Sequence, residues 1–328
     1  MRLFLTGATG FVGLNLLLEA LRSGRYSEIV AAVRDPAKLR SQLAHEGVSD
    51  LSRLAIVGWN DSAPPDIDHA VHCAGVLFAR DRDAYFRVNV DDTMRLLAAL
   101  PASAKIVVLS SQAAAGPTPA GREIRAASDP DAPITWYGES KLAMEKKLRD
   151  IRPDALILRP PMILGPRDRA TLPLFRMAAG PIRIKPGFAP KSYSWIAVHD
   201  LVRGIFAGLG QSAAIPLAAC APDPITDLEL IETAALVLDR RGKTLALPHL
   251  FIRGVSAFVD AIPALRESTP SLTRDRARDI FADRWVADGS DFRARFASGP
   301  FATLRDTLAE TAEWYARAGL LDMPARIT

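Results

Sequence analysis

The chain has 328 residues, of which 49 % are hydrophobic and 24 % are charged, proportions that fit one large globular domain or a nucleotide domain with a smaller partner. The net charge of +4 comes without a basic block or an aromatic–basic stripe, so we expect no nucleic-acid partner. Two cysteines, Cys73 and Cys220, are too few for a disulfide framework or a metal cluster, and no uncharged apolar run approaches the length of a membrane span. We therefore expect a cytoplasmic protein with no bound metal and no membrane partner.

An apolar run, a glycine-rich turn and an apolar-periodic stretch follow one another over residues 3–21, which predicts a buried strand, a tight turn and a helix. Gly7 permits the bend, Gly10 lets a pyrophosphate approach the backbone, and Gly13 lets helix and strand pack closely. The helix N-terminus adds free N–H groups and a positive dipole end. This context favours a dinucleotide-binding turn over a glycine turn that binds nothing, with contacts from Thr6, Gly7, Thr9, Gly10, Phe11, Val12 and Gly13.

The spacing Gly-x-x-Gly-x-x-Gly after Thr6 resembles the extended short-chain dehydrogenase/reductase family, also described as the NAD(P)-dependent epimerase/dehydratase superfamily. Further motifs of that family follow in the same order as far as about Gly208. The resemblance implies a doubly wound parallel α/β sheet, the Rossmann fold, and hydride transfer with a nicotinamide cofactor.

The second predicted strand, residues 29–33, ends at Arg34, where an NAD enzyme usually places an acidic residue on the adenine ribose. A guanidinium at this point can bind a 2′-phosphate with two hydrogen bonds, and Lys38 follows close by. The alternative is a solvated arginine at a strand end. We predict that NADP(H) is preferred, although Asp35 leaves NAD(H) open.

Residues 54–58 read as the third strand, and Gly58-Trp59 follows where the family often has Gly-Asp, with the Asp on the adenine. This departure leaves Asn60 or Asp61 as substitutes for the adenine contact.

The fourth predicted strand and its exit, residues 70–75, resemble the family's small-residue segment beside the cofactor, so Ala74 and Gly75 are predicted cofactor contacts. His72 and Cys73 have no partners at metal-ligand spacing, and we interpret both as ordinary strand residues.

A helix is predicted over residues 83–100, before Pro101. Its residues 88–93 resemble the family's Asn-Val-x-Gly-Thr segment, with Asp92 in place of the glycine. The match implies that Asn89 is the family's structural and proton-relay asparagine; the alternative is an ordinary polar helix residue.

The fifth predicted strand, residues 104–109, brings Ser110 and Ser111 to its carboxyl end, the side on which open parallel sheets bind ligands. Ser111 stands five residues before Gly116, as the family's catalytic serine does, and Ser110 is the near alternative.

Tyr137 and Lys141 are separated by one helical turn and therefore share a helix face. An adjacent ammonium favours the phenolate, which makes proton transfer near neutral pH feasible. Such a pair is a weak signal alone, but it follows both a serine-ended strand and the glycine turn. We predict Ser111, Tyr137, Lys141 and Asn89 as the catalytic set, with Tyr137 and Lys141 also contacting the cofactor.

The sixth predicted strand and its exit, residues 155–166, resemble the family's Arg-Pro-x-x-x-x-Gly-Pro segment along the nicotinamide, which makes Pro160 and Met162 predicted cofactor contacts. Residues 195–201 resemble the later Val-x-Asp segment, which opens a helix that returns to the nucleotide domain. We predict a nucleotide-binding domain over residues 1–165 and a smaller, mostly helical substrate lobe over residues 166–328, with residues 193–210 as the returning segment.

The lobe contains a predicted capped helix start at residues 224–230 and a late helix at residues 302–318, whose Trp314 and Tyr315 are expected in the core. Three residues give the lobe an apolar character, and each is as readily explained by packing in the core as by contact with a substrate: Phe175, Met177 and Phe188.

The predicted function is interconversion of a carbonyl and an alcohol on a small, fairly apolar substrate with NADP(H), nearest the dihydroflavonol-reductase and 3β-hydroxysteroid-dehydrogenase branch. The alternatives are an NAD-dependent nucleotide-sugar epimerase or dehydratase and a non-catalytic NADP-binding redox sensor. Tyr193 stands where such epimerases usually hold an arginine on the diphosphate, which argues against the first, although Lys191 or Arg183 could substitute. The complete Ser-Tyr-Lys set argues against the sensor. A homodimer remains open.

Overall fold

The computed structural model describes residues 1–61, 66–248, 250 and 274–322, in which fourteen strands form one large sheet and several small ones. The strands are β1 (Arg2–Thr6), β2 (Glu28–Val33), β3 (Leu54–Gly58), β4 (His69–His72), β5 (Lys105–Leu109), β6 (Leu156–Arg159), β7 (Met162–Leu164), β8 (Ile182–Pro186), β9 (Ser192–Tyr193), β10 (Trp195–Ala197), β11 (Leu217–Ala218), β12 (Ile225–Thr226), β13 (Lys243–Leu247) and β14 (Arg284–Trp285).

The helices of the described residues alternate with these strands along the first half of the chain. They are α1 (Phe11–Ser23), α2 (Pro36–His45), α3 (Arg82–Phe86), α4 (Thr93–Ala98), α5 (Gln112–Ala115), α6 (Trp136–Ile151), α7 (Leu172–Ala178), α8 (Val198–Gly208), α9 (Asp227–Val237), α10 (Arg274–Phe281), α11 (Ser290–Phe296) and α12 (Leu304–Arg317), with a π-helical segment, Arg87–Asp92, between α3 and α4.

The large sheet has seven strands in the order β11-β6-β5-β4-β1-β2-β3, and every pair in it is parallel. β1 pairs with both β2 and β4, so the winding of the chain reverses between β1 and β4. In such sheets the ligand crevice lies outside the carboxyl ends of the strands at this reversal. The predicted doubly wound fold is confirmed.

Side chains of β1 alternate between two cores, as the two-residue period of a strand requires. Leu3 and Leu5 join a cluster with α1, α8 and α11, whereas Phe4 joins a second cluster with α4 and α6. Both faces of the sheet are therefore covered by helices, which is why its strands read as continuous apolar runs.

A third cluster forms the core of the lobe, built from α7, α9 and α12. Phe175 and Tyr315 meet edge to face with ring centroids 5.1 Å apart, and both are fully buried. Met177 is half-buried and Phe188 is exposed, so the three apolar residues named for this lobe have three different environments. Small sheets, β12-β9-β14 and β13-β8, complete the lobe.

The chain returns to the large sheet twice within residues 166–328. Helix α8 packs against α1, and later β11 extends the sheet beside β6 while α11 covers it. The first return, α8, spans Val198–Gly208.

Several predicted elements differ in their boundaries. The single helix predicted over residues 83–100 is divided into α3, the π-helical segment and α4, because one extra residue is accommodated there. Residues 162–164, expected to continue the sixth strand, form β7, which pairs with β10. The predicted helix start at residues 224–230 is α9, which Thr226 and Glu229 close with a capping box. Among the described residues, no helix is long and apolar enough to cross a membrane.

Candidate functional site

The glycine turn between β1 and α1 has room for backbone only. A Cβ on Gly13 would lie 2.1 Å from the Gly7 carbonyl oxygen, and one on Gly7 would lie 2.7 Å from Ala74 N. Gly7 also has a φ of 77°, which favours glycine. The turn is closed by a hydrogen bond from Gly10 N to the Gly7 carbonyl, 2.9 Å long. Helix α1 thus starts at the carboxyl end of β1 with its N–H groups toward the crevice, as phosphate binding requires.

A cavity of about 210 Å³ lies at the carboxyl ends of β1, β2 and β4. Its lining residues are Gly7, Thr9, Gly10, Ala32, Val33, Arg34, Lys38, Trp59, Cys73, Ala74, Gly75, Val88 and Asp92. Seven of the predicted cofactor contacts are in this set: Gly7, Thr9, Gly10, Arg34, Lys38, Ala74 and Gly75. Its position beside the glycine turn suits the adenosine half of a dinucleotide, and we call it the adenosine cavity.

Four of the predicted contacts in the glycine turn do not line this cavity. Thr6 is fully buried, and its hydroxyl contacts His72 Nδ1 at 2.9 Å, so it supports the turn from behind. Phe11 and Val12 are half-buried and pack against the core beneath α1. Gly13 has no side chain that could reach a ligand, and the absence of a Cβ there lets α1 pack closely on the turn.

Trp59, at the departure from the family's Gly-Asp pair, lines the adenosine cavity. The neighbouring Asp61 carboxylate instead accepts a hydrogen bond from Gly58 N at 2.7 Å, so it closes the turn after β3. Asn60 is exposed. Neither Asn60 nor Asp61 is among the cavity residues, and the structure thus places an indole where the family often has a carboxylate.

The second cavity, of about 330 Å³, lies at the carboxyl end of β5 and extends into the lobe. It is lined by Leu77, Ser111, Gln112, Ala113, Tyr137, Pro161, Met162, Tyr193, Ser194, Asp279 and Trp285. Ser111 and Tyr137 therefore border the same space. Most of the remaining lining is apolar or aromatic, which suits an apolar substrate.

The two candidate serines have different environments. Ser111 borders the second cavity, and its hydroxyl oxygen accepts a hydrogen bond from Ala113 N at 3.1 Å. Ser110 is buried outside the cavity lining, and its hydroxyl has no hydrogen-bond partner within the described part of the chain. The geometry favours Ser111 as the serine that can contact a substrate.

Lys141 lies one turn after Tyr137 on α6 and is only 5 % exposed. Its ammonium donates a hydrogen bond to the Leu109 carbonyl at 2.7 Å, which fixes it below the end of β5. Burial lowers the pKa of Lys141 to about 8, although Glu145 and Cys73 act in the opposite direction. A buried cation at this point is a fixed source of positive potential beside the cavity.

Asn89 sits in the π-helical segment and is almost fully buried. Its amide oxygen accepts from Val76 N at 2.8 Å, and its amide nitrogen donates to the Val76 carbonyl at 3.1 Å and to Ser140 Oγ at 2.9 Å. The Ser140 hydroxyl in turn donates to the Tyr137 carbonyl at 2.7 Å. Asn89 thus joins the loop after β4 to the helix that carries Tyr137 and Lys141.

His72 ends β4, and Cys73 follows it at the strand exit. The His72 ring contacts the hydroxyls of Thr6 and Thr93, each at 2.9 Å, and burial lowers its pKa to about 3. Burial raises the pKa of Cys73 to about 12, so its thiol stays protonated. No cluster of three or more potential metal ligands occurs in the described residues.

The two predicted contacts after β6 have different positions: one borders the second cavity, and the other is bonded to a cavity residue. Met162 borders the second cavity, whereas the Pro160 carbonyl accepts a hydrogen bond from Gln112 N at 3.0 Å. Sequence reasoning missed Leu77, Gln112 and Trp285 as lining residues, because their positions depend on contacts between distant parts of the chain and no local motif marks them.

Tyr193 lines the second cavity at the position where epimerases usually hold an arginine. The two candidate substitutes, Arg183 and Lys191, are both buried and outside the lining. Arg183 donates to the carbonyls of Ala178 and Arg240. Phe175 belongs to the core of the lobe, so of the two explanations left open for it the structure supports packing.

Comparisons with known proteins agree with this architecture. The family model described as the NAD dependent epimerase/dehydratase family matches residues 3–216. The ceramide reductase of Caulobacter vibrioides (strain NA1000 / CB15N) is 28 % identical over 327 residues, which cover 97 % of this chain and 95 % of the relative.

Solved structures with the same fold cover nearly the whole chain. The crystal structure of gox2253 is 20 % identical, covers 98 % of this chain and 99 % of its own, and has a TM-score of 0.75. The UDP-glucuronic acid 4-epimerase from Bacillus cereus in complex with NAD is 18 % identical, covers 100 % of both chains and has a TM-score of 0.71. The chain belongs to the NAD dependent epimerase/dehydratase family and is an NAD(P)-dependent enzyme of that family.

Proposed function

We propose that the protein is an NADP(H)-dependent reductase that interconverts a ketone and a secondary alcohol on a largely apolar substrate. The observation that carries the proposal is the pairing of Ser111 and Tyr137 at one cavity of about 330 Å³, with Lys141 buried one turn behind Tyr137. The apolar lining from Leu77, Pro161 and Met162 supports an apolar substrate.

In this mechanism the bound cofactor supplies the hydride in the reductive direction. Tyr137 donates its phenolic proton to the oxygen of the former carbonyl as that oxygen gains charge. Ser111 donates a hydrogen bond to the same oxygen, which stabilises the developing charge. Lys141 favours the phenolate that remains on Tyr137, because it is a buried cation one helical turn away on the same helix.

Asn89 is proposed as a positioning residue in this reaction. Its side-chain amide is bonded to Val76 and Ser140, and these bonds support the placement of α6 relative to the loop after β4.

The preference for NADP(H) is supported by Arg34 and Lys38, both exposed and both lining the adenosine cavity. Two cations at the ribose end match a 2′-phosphate, which carries charge that NAD lacks. Calorimetric titration of both cofactors tests this. Arg34→Ala should weaken NADPH binding about tenfold or more and leave NADH binding unchanged, since a charge-assisted hydrogen bond is worth about 1.5–3 kcal/mol. Arg40→Ala, on the exposed side of α2, is the matched control.

A lipid-like ketone is the substrate class that we favour. The relative with 28 % identity is named a ceramide reductase, and the cavity lined by Met162 and Trp285 suits an aliphatic chain. A panel of ketones that runs from small cyclic ketones to 3-oxo-amide lipids, followed by NADPH absorbance, tests this class. Turnover that rises with the apolar length of the substrate and disappears in Tyr137→Phe supports the proposal.

The second candidate is an NAD-dependent nucleotide-sugar epimerase or dehydratase, which is favoured by the fold shared with the UDP-glucuronic acid 4-epimerase. Against it stand Tyr193 in the cavity and the buried positions of Arg183 and Lys191, because a phenol does not replace a planar charged fork on a diphosphate. Thermal-shift measurements with UDP, GDP and dTDP on the NADP-loaded protein separate the two. Clear stabilisation by any of them, with no ketone reduced, would move the assignment to the epimerase. NADPH binding with no turnover of any substrate would instead favour the redox sensor.

A further inference from the structure

The two-stranded parallel sheet of β8 and β13 presents its apolar side chains outward. Ile182, Ile184 and Leu245 are exposed by 59 %, 46 % and 50 %. Ile184 pairs with Leu245 and Ile182 with Lys243, so these residues lie side by side on one face. We call Ile182, Ile184, Lys243 and Leu245 the outer face.

The inner face of the same sheet carries buried cations with defined partners. Lys185 donates to Asp227 Oδ2 at 2.9 Å and to the Ala189 carbonyl at 2.7 Å, and Arg183 donates to the Arg240 carbonyl at 2.8 Å. A one-residue slip would move these cations outward and the apolar residues inward. Because the inner bonds fix the register of β8, the outward position of its isoleucines is built into the fold.

The apolar surface continues past the carboxyl ends of both strands. Pro186 pairs with Leu247, and Gly187 N donates to the Leu247 carbonyl at 2.7 Å, so the two strands end together. Phe188 and Leu250 follow within three residues of these ends, and both are more exposed than the three apolar residues of the outer face. An exposed group of large apolar side chains of this kind marks an interaction surface.

Exposed cations lie on the segments next to this apolar surface. Arg240 and Arg241 immediately precede β13, Lys243 lies on the outer face, and Arg176 lies on α7, which contacts β8. Asp239 is the only carboxylate in the described residues of the segments 172–191 and 236–248. The segments 172–191 and 236–248 thus combine exposed apolar side chains with an excess of cations, the combination that binds interfaces of anionic lipids.

We propose that the outer face, with Phe188, docks on the surface of a lipid bilayer that contains anionic lipid. A second copy of the chain is disfavoured as the occupant, because like faces would bring the two sets of cations together. Docking of this kind needs no spanning helix, and it departs from the sequence-based expectation of no membrane partner, which considered spanning segments only. The docking does not depend on the proposed reaction, since none of these residues lines either cavity.

The test is co-sedimentation of the full chain with vesicles of phosphatidylcholine, alone or mixed with phosphatidylglycerol. We expect binding to the mixed vesicles that weakens as salt is added. The double variant Ile184→Ser, Leu245→Ser should reduce partitioning about tenfold, and Arg241→Gln with Lys243→Gln should remove most of the preference for anionic lipid. Ile215→Ser, an exposed isoleucine outside this surface, is the control that should bind like the parent protein.

The docking proposal and the enzymatic proposal can fail separately. Tyr137→Phe should bind vesicles as the parent protein does, whatever its activity. The docking proposal is overturned if the parent protein stays in the supernatant with both vesicle types, or if the double variant, folded by circular dichroism, sediments equally. It is also overturned if light scattering shows a dimer that the double variant converts to a monomer while neither binds vesicles, because the face would then join two copies of the chain.

Discussion

Replacement of Lys141 by methionine should make the free protein more stable while it abolishes turnover. The ammonium of Lys141 is buried on α6, and burial lowers its pKa to about 8 from the ordinary 10.5. At neutral pH the folded protein therefore keeps a charge in a place that disfavours it. Methionine has a similar length and no charge, so it should fill the same space without that penalty.

The size of the effect follows from the two pKa values. The difference between 10.5 and about 8 corresponds to about 3 kcal/mol that opposes folding at pH 7. The variant also loses the hydrogen bond to the Leu109 carbonyl, which is worth about 1 kcal/mol. We therefore expect Lys141→Met to unfold with a free energy about 2 kcal/mol higher than the parent protein at pH 7.

The stability difference between Lys141→Met and the parent protein should depend on pH. Below pH 8 the lysine is charged in both the folded and the unfolded state, so the full penalty is present. Between about pH 8 and 10.5 the unfolded state binds more protons than the folded state, and the stability of the parent protein rises relative to the variant. The advantage of Lys141→Met should therefore shrink steadily over that range.

Urea unfolding of both proteins between pH 6.5 and 9.5 measures this, with Lys146→Met as a control because Lys146 is exposed on the same helix. The comparison cancels the titration of all other groups, as far as the sites are independent. If Lys141→Met were less stable than the parent at pH 7, and the difference did not change with pH, burial would not be the dominant influence on this lysine.

Three further substitutions test the site and its support. Tyr137→Phe should reduce turnover by at least about a hundredfold with NADPH affinity nearly unchanged, and retained activity in a stopped-flow assay would require a different proton donor. Gly13→Ala should destabilise the protein by about 1–3 kcal/mol and remove NADPH binding, because its Cβ would meet the Gly7 carbonyl at 2.1 Å; normal binding by fluorescence titration would contradict the packing described for the turn. Arg159→Met should lower the free energy of unfolding by about 3–5 kcal/mol, since it leaves the buried Glu145 carboxylate without its ion pair, and a urea midpoint equal to that of the parent would refute this.

The sequence predicts those parts of the fold that are determined by a pattern within a short segment of the chain. The glycine turn, the first six strands and the return helix at residues 198–208 each have a local pattern of apolar period, turn chemistry or capping. The π-helical segment at residues 87–92 has no such pattern, because it depends on the contact of Asn89 with Val76 thirteen residues earlier.

The candidate site likewise contains residues that a local pattern predicts and residues that only distant contacts bring there. Ser111, Tyr137 and Lys141 stand out because their spacing is fixed within one strand end and one helix turn. Trp285 lines the cavity because β14 pairs with β9, which lies about ninety residues earlier in the chain. No local pattern therefore predicts Trp285 as a lining residue. Phe175 and Phe188 are both aromatic, and no local pattern shows that the first is buried against Tyr315 of α12 while the second is exposed.

Helix α12 connects the lobe to the nucleotide half through residues that are very distant along the chain. Trp314 Nε1 donates to Glu46 Oε1 at 3.0 Å across 268 positions, and the Tyr315 hydroxyl contacts Thr171 Oγ1 at 2.9 Å. The Glu46–Trp314 contact closes a much longer loop than the Thr171–Tyr315 contact, and closing a longer loop costs more chain entropy. During synthesis, the core of the nucleotide half can close once α11 has emerged from the ribosome, whereas the lobe remains open until α12 follows. A chain that stalls before residue 303 would expose the apolar partners of α12, including Phe175, and would be a target for chaperones and proteases.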